Sequence, residues 1–120
     1  MWLRIHFTTN WIDRCMDSLF TVKDFKKLIR LAKARNKSQE DYFQFQKFQG
    51  ELLVRFLQKN HCLKAGDLIL DLGCAFGGYS SALKQVGAQI VGLDFTPDNN
   101  PDGVPMVKAD ANFIPAPAGT

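Results

Sequence analysis

Apolar residues recur at helical spacing in two stretches of the first half of the chain. In the first stretch they follow the i, i+3, i+4, i+7 pattern of one helix face, at Phe25, Leu28, Ile29 and Ala32. Thr21 with Asp24 supplies an N-terminal cap, so this helix is predicted to run to about Arg35. Ser38 with Asp41 starts a second helix, predicted over roughly 39–59. One stripe of this helix comprises Tyr42, Phe45, Gln49, Leu52 and Phe56, with Phe48 and Leu53 beside it, and its aromatic residues are interpreted mainly as core.

The second half of the chain alternates short apolar runs with a helical segment. Continuous apolar runs predict strands near 68–71, 90–94 and 105–109, of the kind buried on both faces in a parallel sheet. A helix over 80–86, closed by Gly87, connects the first two strands. Strand, helix and strand at this spacing form a βαβ unit. The fold class is therefore α/β, a partial parallel sheet preceded by N-terminal helices. Residues 1–20 fit an extended arm or a short helix equally well.

Composition restricts the class of protein. The chain has 120 residues, 46% of them hydrophobic and 22% charged, which is the balance of one globular domain rather than a disordered segment. It has no apolar run near the ~20 residues of a membrane span and no signal-peptide pattern. The cysteines Cys15, Cys62 and Cys74 have neither paired nor metal-type spacing, so a reducing, cytoplasmic location is expected.

Charge divides the chain into two unlike halves. Residues 1–60 carry twelve Lys and Arg against six Asp and Glu, whereas residues 61–120 carry three against six. Residues 23–37 alone hold seven basic side chains and one acid, Asp24. A solvated helix face is the simplest interpretation, and the alternatives are an acidic acceptor, an anionic membrane surface or nucleic acid. No RNA-binding motif accompanies the run, so no nucleic-acid partner is expected.

The candidate chemistry lies in a glycine-rich turn after the first strand, in the segment 68–78. Such a turn lets a ligand approach the backbone closely, and ligands of open α/β sheets lie beyond the carboxyl ends of the strands. Asp71, Asp94 and Asp110 end the three strands and so line that edge. They would repel a pyrophosphate, which the turn has no Lys or Arg to neutralise. A ligand with a sulfonium, an amino group, a ribose diol and an adenine amino group suits them better, and S-adenosylmethionine is such a ligand.

These residues resemble the motifs of the class I S-adenosylmethionine-dependent methyltransferases. The family's first motif, Asp-Leu-Gly-Cys-Gly-x-Gly, is similar to residues 71–77, Asp-Leu-Gly-Cys-Ala-Phe-Gly. The acid that closes the second strand corresponds to Asp94, and the acid and small residue after the third correspond to Asp110-Ala111. The resemblance covers residues 60–118 well and the two preceding helices loosely. It implies a Rossmann-like methyltransferase fold, with a helical cap over 1–60 and a truncated cofactor domain over 61–120.

The resemblance also implies a role for individual residues. Gly73 and Gly77 would let the methionine portion lie against the backbone, and Asp71 would orient its amino group through water or the loop. Asp94 would accept from both ribose hydroxyls. Phe95 would pack on the adenine ring, and Asp110 would accept a hydrogen bond from the adenine amino group. The implied cofactor-binding set is Asp71, Gly73, Cys74, Ala75, Gly77, Asp94, Phe95, Asp110 and Ala111. Ala75 departs from the family's glycine and adds a methyl group where the cofactor approaches.

The methyl acceptor and the catalytic residues are not identified by these motifs. In the family, acceptor-side residues come largely from the strand after the third and from later loops, whereas this sequence ends at Thr120. A small-molecule acceptor is expected, and the chain is expected to be truncated. The family sheet places a fourth strand beside the first, so a partner chain or a C-terminal half is expected to cover 68–70, because an unpaired apolar edge promotes aggregation.

Two other functions remain open. One is an NAD(P)-binding Rossmann domain, since Gly73, Ala75 and Gly78 fit a relaxed dinucleotide fingerprint, although Asp71 and Asp110 would then have no role. The other is a non-catalytic fragment that binds a nucleotide or adenosyl ligand. Cys74 is interpreted as a small buried thiol rather than a nucleophile. The segment 98–103 lacks the register of a calcium loop and is interpreted as a surface turn, so no metal site is predicted.

Overall fold

A computed structural model describes residues 19–110 and residue 112, so Ala111 and nearly all of the ambiguous first twenty residues lie outside the description. The helices are α1 (Val22–Ala34), α2 (Gln39–Lys59) and α3 (Gly78–Gln85). The strands are β1 (Leu68–Leu72), β2 (Gln89–Asp94) and β3 (Met106–Lys108). The predicted α/β fold, a partial parallel sheet preceded by two helices, is confirmed.

Both N-terminal helices begin at the predicted caps. The Thr21 hydroxyl accepts a hydrogen bond from the Asp24 N–H at 3.1 Å, and the Asp24 carboxylate accepts one from the Thr21 N–H at 2.9 Å, which completes a capping box. At α2 the Ser38 hydroxyl accepts from the Asp41 N–H at 3.0 Å. These bonds satisfy N–H groups that the first helical turn leaves unpaired. The local sequence therefore fixes where each helix starts.

The three strands form one parallel sheet in the order β1-β2-β3. Leu70 pairs with Val91 and Asp71 with Gly92 in the first ladder, and Asp94 pairs with Lys108 in the second. Because all three strands run in the same direction, their carboxyl ends meet at one edge of the sheet. The sheet thus brings the segments that follow β1, β2 and β3 together.

The core lies between the sheet and the helices α2 and α3. It is built from Leu53, Val54 and Leu57 of α2, Ala82 and Leu83 of α3, and Ile69 and Ile90 of the strands, among others. The two helices pack closely because Gly50 of α2 has no side chain, and a Cβ there would lie 2.8 Å from the Cβ of Ala82. Helix α2 is therefore part of the same core as the sheet.

The apolar periodicity predicts the presence of α1 and β1 but not what covers them. Among the described residues, α1 buries none of its side chains, and Phe25 and Ile29 on its apolar face are 44% and 40% exposed. In β1, Ile69 and Asp71 are buried, whereas Leu68 is 37% exposed. The prediction that β1 is buried on both faces is thus met on only one face within the part of the chain that the structure describes.

Among the described helices, none combines the length and the apolar composition that crossing a membrane requires.

Candidate functional site

A cleft of about 280 Å³ lies at the carboxyl edge of the sheet. It is lined by residues that follow or end the three strands: Gly73, Leu93, Asp94, Phe95, Ala109 and Asp110. These residues come from three separate stretches of the chain. They lie close together because β1, β2 and β3 pair in parallel, so that the strands end at the same edge of the sheet. Four of the nine sequence-predicted site residues, Gly73, Asp94, Phe95 and Asp110, lie in this one cleft. Leu93 and Ala109 line it as well, although the sequence analysis did not include them.

The loop between β1 and α3 is held in a left-handed backbone conformation at three positions. Gly73 has φ +73° and Gly77 has φ +77°, values that glycine adopts without steric cost. A Cβ added at Gly73 would meet no heavy atom within 4 Å, so the backbone there is open to the cleft. Ala75 has φ +49°, which is uncommon for a residue with a side chain. The turn therefore takes a shape that favours glycine at all three positions.

Three backbone N–H groups of the loop donate hydrogen bonds to residues of β2. The N–H groups of Gly73 and Cys74 both donate to the Leu93 carbonyl, at 2.7 and 3.1 Å. The Ala75 N–H donates to Oδ2 of Asp94 at 2.8 Å. The loop is thus bonded to the end of the neighbouring strand.

Asp94 has two backbone partners and retains further acceptor capacity. Besides the Ala75 bond, its Oδ1 accepts from the Thr96 N–H at 3.0 Å. A carboxylate has about four lone-pair positions, so roughly two remain for a ligand in the cleft. Asp94 is half-buried and lines the cleft. The geometry allows this carboxylate to shape the loop and to accept ligand hydroxyls at once.

Asp71 lies beneath the loop rather than in the cleft. Its side chain is 4% exposed and accepts a hydrogen bond from the Ser80 hydroxyl at 2.6 Å. Burial raises the pKa of Asp71 above its ordinary value; the Ser80 bond opposes the rise and the Asp94 charge adds to it. The side chain therefore links β1 to the first turn of α3. Asp71 does not line the cleft, and its role toward the amino group of a ligand stays a prediction.

Cys74 is a buried thiol, as the sequence analysis predicted. It is 4% exposed, and its Sγ lies 3.8 Å from the sulfur of Met106. Burial, reinforced by the charges of Asp71 and Asp94, raises its pKa to about 12. Because the thiolate is the reactive form, this residue is a poor nucleophile near neutral pH.

Asn100 joins the loop after β2 to the glycine-rich turn, a role that the interpretation of 98–103 as a surface turn missed. Its amide donates to the carbonyls of Phe76 and Gly77, both at 3.1 Å, and to the Ser81 hydroxyl at 2.9 Å. Its side-chain oxygen Oδ1 accepts hydrogen bonds from the N–H groups of Asp102 and Val104. The enrichment of asparagine in turns explains the missed role, since nothing local distinguishes this residue from an ordinary turn residue. Within the described part of the chain, no His, Cys, Asp and Glu cluster could hold a metal ion.

We expect Ala75→Gly to stabilise the protein and to preserve or tighten cofactor binding. The left-handed conformation costs an L-residue roughly 1–2 kcal/mol, and glycine removes most of this cost at the expense of a more flexible unfolded chain. Thermal unfolding and calorimetric titration with S-adenosylhomocysteine measure the two effects. Ala65→Gly is the matched control, because Ala65 is exposed and does not have a positive φ. A fall in stability equal to that of the control would contradict the prediction.

The chain is similar to curated methyltransferases over part of its length. It is 36% identical over 62 residues to the ribosomal RNA large subunit methyltransferase E of Wolbachia sp. subsp. Brugia malayi, covering 52% of this chain and 29% of that protein. It is 30% identical over 81 residues to the protein of the same name from Archaeoglobus fulgidus, covering 62% and 42%. A third relative, from Wolbachia pipientis wMel, is 38% identical over 58 residues, covering 48% and 30%. The matches span less than half the length of these relatives.

These matches confirm the predicted resemblance to class I S-adenosylmethionine-dependent methyltransferases. No family model and no solved structure matches the chain. The expectation that no nucleic acid is a partner is wrong, because the relatives are named as methyltransferases of ribosomal RNA. The lack of a local RNA-binding motif does not argue against such a partner, since phosphate contacts require only suitably placed cations.

Proposed function

We propose that this chain is the cofactor-binding part of an S-adenosylmethionine-dependent methyltransferase that acts on RNA. The observation that carries the proposal is the meeting of Gly73, Asp94, Phe95 and Asp110 in one cleft at the carboxyl edge of a parallel sheet. The names of the relatives support methyl transfer and an RNA acceptor. The RNA replaces the small-molecule acceptor that the sequence analysis expected.

The cleft suits the polar groups of the proposed cofactor. The free lone pairs of Asp94 would accept from the ribose hydroxyls, and the Phe95 side chain, 67% exposed, offers a face for the adenine ring. Asp110 accepts from the Asn112 N–H at 2.9 Å and has acceptor capacity left for the adenine amino group. When bound, S-adenosylmethionine supplies an electrophilic methyl group on its sulfonium. The two carboxylates of the cleft favour such a cation and disfavour a pyrophosphate.

The methyl-transfer step itself is a matter of positioning, because a nucleophile must be held in line with the methyl group. This chain's proposed part is to hold the cofactor, with the loop fixed by Asp94 and Asn100. Catalytic residues remain unassigned. The division into a helical cap over 1–60 and a cofactor domain over 61–120 stays a prediction, and α2 of the cap packs into the core of the sheet. The cytoplasmic location also stays a prediction, and it agrees with the free thiols of Cys62 and Cys74.

Calorimetric titration of the full chain tests the cofactor. We expect S-adenosylhomocysteine to bind and NAD to neither bind nor compete, because the cleft carries two carboxylates. Transfer of a tritiated methyl group from S-adenosylmethionine to ribosomal RNA, by the protein that contains this chain, tests the acceptor. Binding of NAD in preference to S-adenosylhomocysteine would favour the dinucleotide domain instead. Cofactor binding without transfer to RNA would contradict the proposed acceptor alone.

A further inference from the structure

A second cleft, of about 500 Å³, lies between α1 and α2 and is here termed the basic groove. It is lined by Lys23, Asp24, Lys26, Lys27, Arg30, Phe48, Glu51 and Arg55. The helices run in opposite directions along it, since Asp24 contacts Arg55 and Lys27 lies over the Phe48 ring at 4.4 Å. The four basic residues that α1 contributes to the groove are all exposed. The cofactor cleft uses none of them.

The groove carries an excess of positive charge that it does not neutralise itself. Five cations line it against two acids, and one of the acids, Asp24, already accepts from Arg55 at 2.8 Å and from the Thr21 N–H at 2.9 Å. Lys33 and Arg35 extend the basic run of α1 beyond the groove. A polyanion in the groove would therefore be attracted by the unneutralised cations, and the Asp24–Arg55 ion pair would stay intact.

The net charge of the cofactor cleft disfavours phosphates. Asp94 and Asp110 line that cleft, and the second half of the chain carries twice as many acidic as basic residues. Of the basic residues there, Lys84 already donates to the Asp102 carbonyl at 2.7 Å, and Lys108 lies near the cleft, with its Nζ 6.0 Å from the centre of the Phe95 ring. This cation faces the two carboxylates of the cleft. The backbone of an RNA whose nucleotide reaches the cofactor is therefore held more favourably on another surface.

Helix α2 connects the glycine-rich loop, which borders the cofactor cleft at Gly73, to the basic groove. Tyr42, near its N-terminus, packs edge-on against Phe76 of the glycine-rich loop with ring centroids 5.8 Å apart. Phe48 and Arg55, which line the groove, follow 6 and 13 residues later. At 1.5 Å per residue this is about 9–20 Å along the helix. A stacked strand with ~3.4 Å between nucleotides covers that distance in about three to six nucleotides.

The groove fits a nucleic-acid backbone better than a lipid surface. At about 100° per residue, Lys27 and Arg30 lie about 140–160° around α1 from Phe25. Phe25, 44% exposed, lies with the exposed side chains of Val22 and Ile29 on the face that would enter a bilayer. A membrane that took up Phe25 would leave Lys23, Lys27 and Arg30 on the far side of α1, with Lys26 at its margin. A flexible polyanionic strand, in contrast, can enter a concave groove.

We propose that the basic groove between α1 and α2 binds backbone phosphates of the RNA acceptor, several nucleotides from the nucleotide that reaches the cofactor cleft. This inference rests on the proposed function for the identity of the RNA. The groove itself is defined by the charges and contacts of α1 and α2.

The test is fluorescence anisotropy with a labelled single-stranded RNA and the full chain. The groove variant is Lys26→Gln with Arg30→Gln, and the control is Lys37→Gln with Lys64→Gln, which removes the same charge from exposed residues outside the groove. We expect the groove variant to lose roughly tenfold in affinity and the control to lose little. The slope of log K against log salt should fall by about 1.4 in the groove variant, at ~0.7 for each lost phosphate contact.

Two further measurements separate this inference from the proposed function. Both variants should retain the helical circular dichroism signal and the wild-type affinity for S-adenosylhomocysteine. Equal losses in the two variants, or wild-type RNA binding by the groove variant, would overturn the groove. Binding to phosphatidylserine vesicles but not to RNA would also overturn it, in favour of a membrane surface. If the wild type binds RNA through the groove yet fails to bind S-adenosylhomocysteine, the groove stands and the proposed function fails.

Discussion

Replacing Gly73 by valine is expected to abolish cofactor binding while the protein stays folded. Gly73 has φ +73°, a conformation in which a β-branched residue is strained. Because nothing lies within 4 Å of the added Cβ, the side chain would project into open space at the edge of the cleft. We expect a loss above about a hundredfold in affinity for S-adenosylhomocysteine, or ~2.8 kcal/mol of binding free energy. Isothermal titration calorimetry measures it.

Gly66→Val is the matched control for this experiment. Gly66 has φ +86° and equally open surroundings, but it lies in the turn before β1, where its N–H donates to the Gly87 carbonyl. The two variants therefore share the backbone strain, and only one affects the cleft. We expect similar drops in melting temperature and a loss of binding in Gly73→Val alone. Normal binding by Gly73→Val would mean that the ligand lies elsewhere.

Asp94→Ala is expected to weaken cofactor binding by a factor of tens to a thousand. The carboxylate is proposed to accept from two ribose hydroxyls, and hydrogen bonds to charged groups contribute ~1.5–3 kcal/mol each, which do not add fully. The variant also leaves the Ala75 N–H without the acceptor it has at 2.8 Å, so the melting temperature should fall as well. Titration calorimetry and thermal unfolding report the two effects.

Asp94→Asn separates the two roles of this carboxylate. Its amide keeps one oxygen acceptor for the loop but loses the charge and part of the acceptor capacity. We expect it to recover much of the stability lost in Asp94→Ala but little of the affinity. Asp98→Ala is the control, because Asp98 is an exposed acid of the same loop outside the cleft. Full recovery of affinity by the asparagine would show that Asp94 acts on the ligand only through the loop.

Local signals in the sequence predict most of the secondary structure. Thr21 and Ser38 start their helices as expected, because a capping side chain acts within three residues. Helix α3 begins at Gly78 rather than at residue 80, since its cap, Gly77, uses backbone conformation instead of a side chain. Strand β3 is shorter than predicted and starts after Pro105, a residue that has no N–H to donate to the ladder.

Contacts between distant segments are what the sequence does not reveal. The cleft residues Gly73, Asp94, Phe95 and Asp110 are predicted because motifs mark each strand end and parallel strands bring those ends together. Asn100 is missed because its partners Phe76 and Gly77 lie 24 and 23 residues away. The role of Asp71 as a partner of Ser80 depends likewise on how α3 packs against β1.

The attachment of the glycine-rich loop to β2 affects the thermodynamics of ligand binding. Glycine-rich segments lose much conformational entropy when a ligand orders them. Here the N–H groups of Gly73 and Cys74 are already bonded to the Leu93 carbonyl, and that of Ala75 to Asp94, within the free protein. The loop is therefore preorganised, and binding requires little additional ordering. A ligand that enters this cleft should show a small entropic penalty, and the three amides should exchange their hydrogens slowly before any ligand is added.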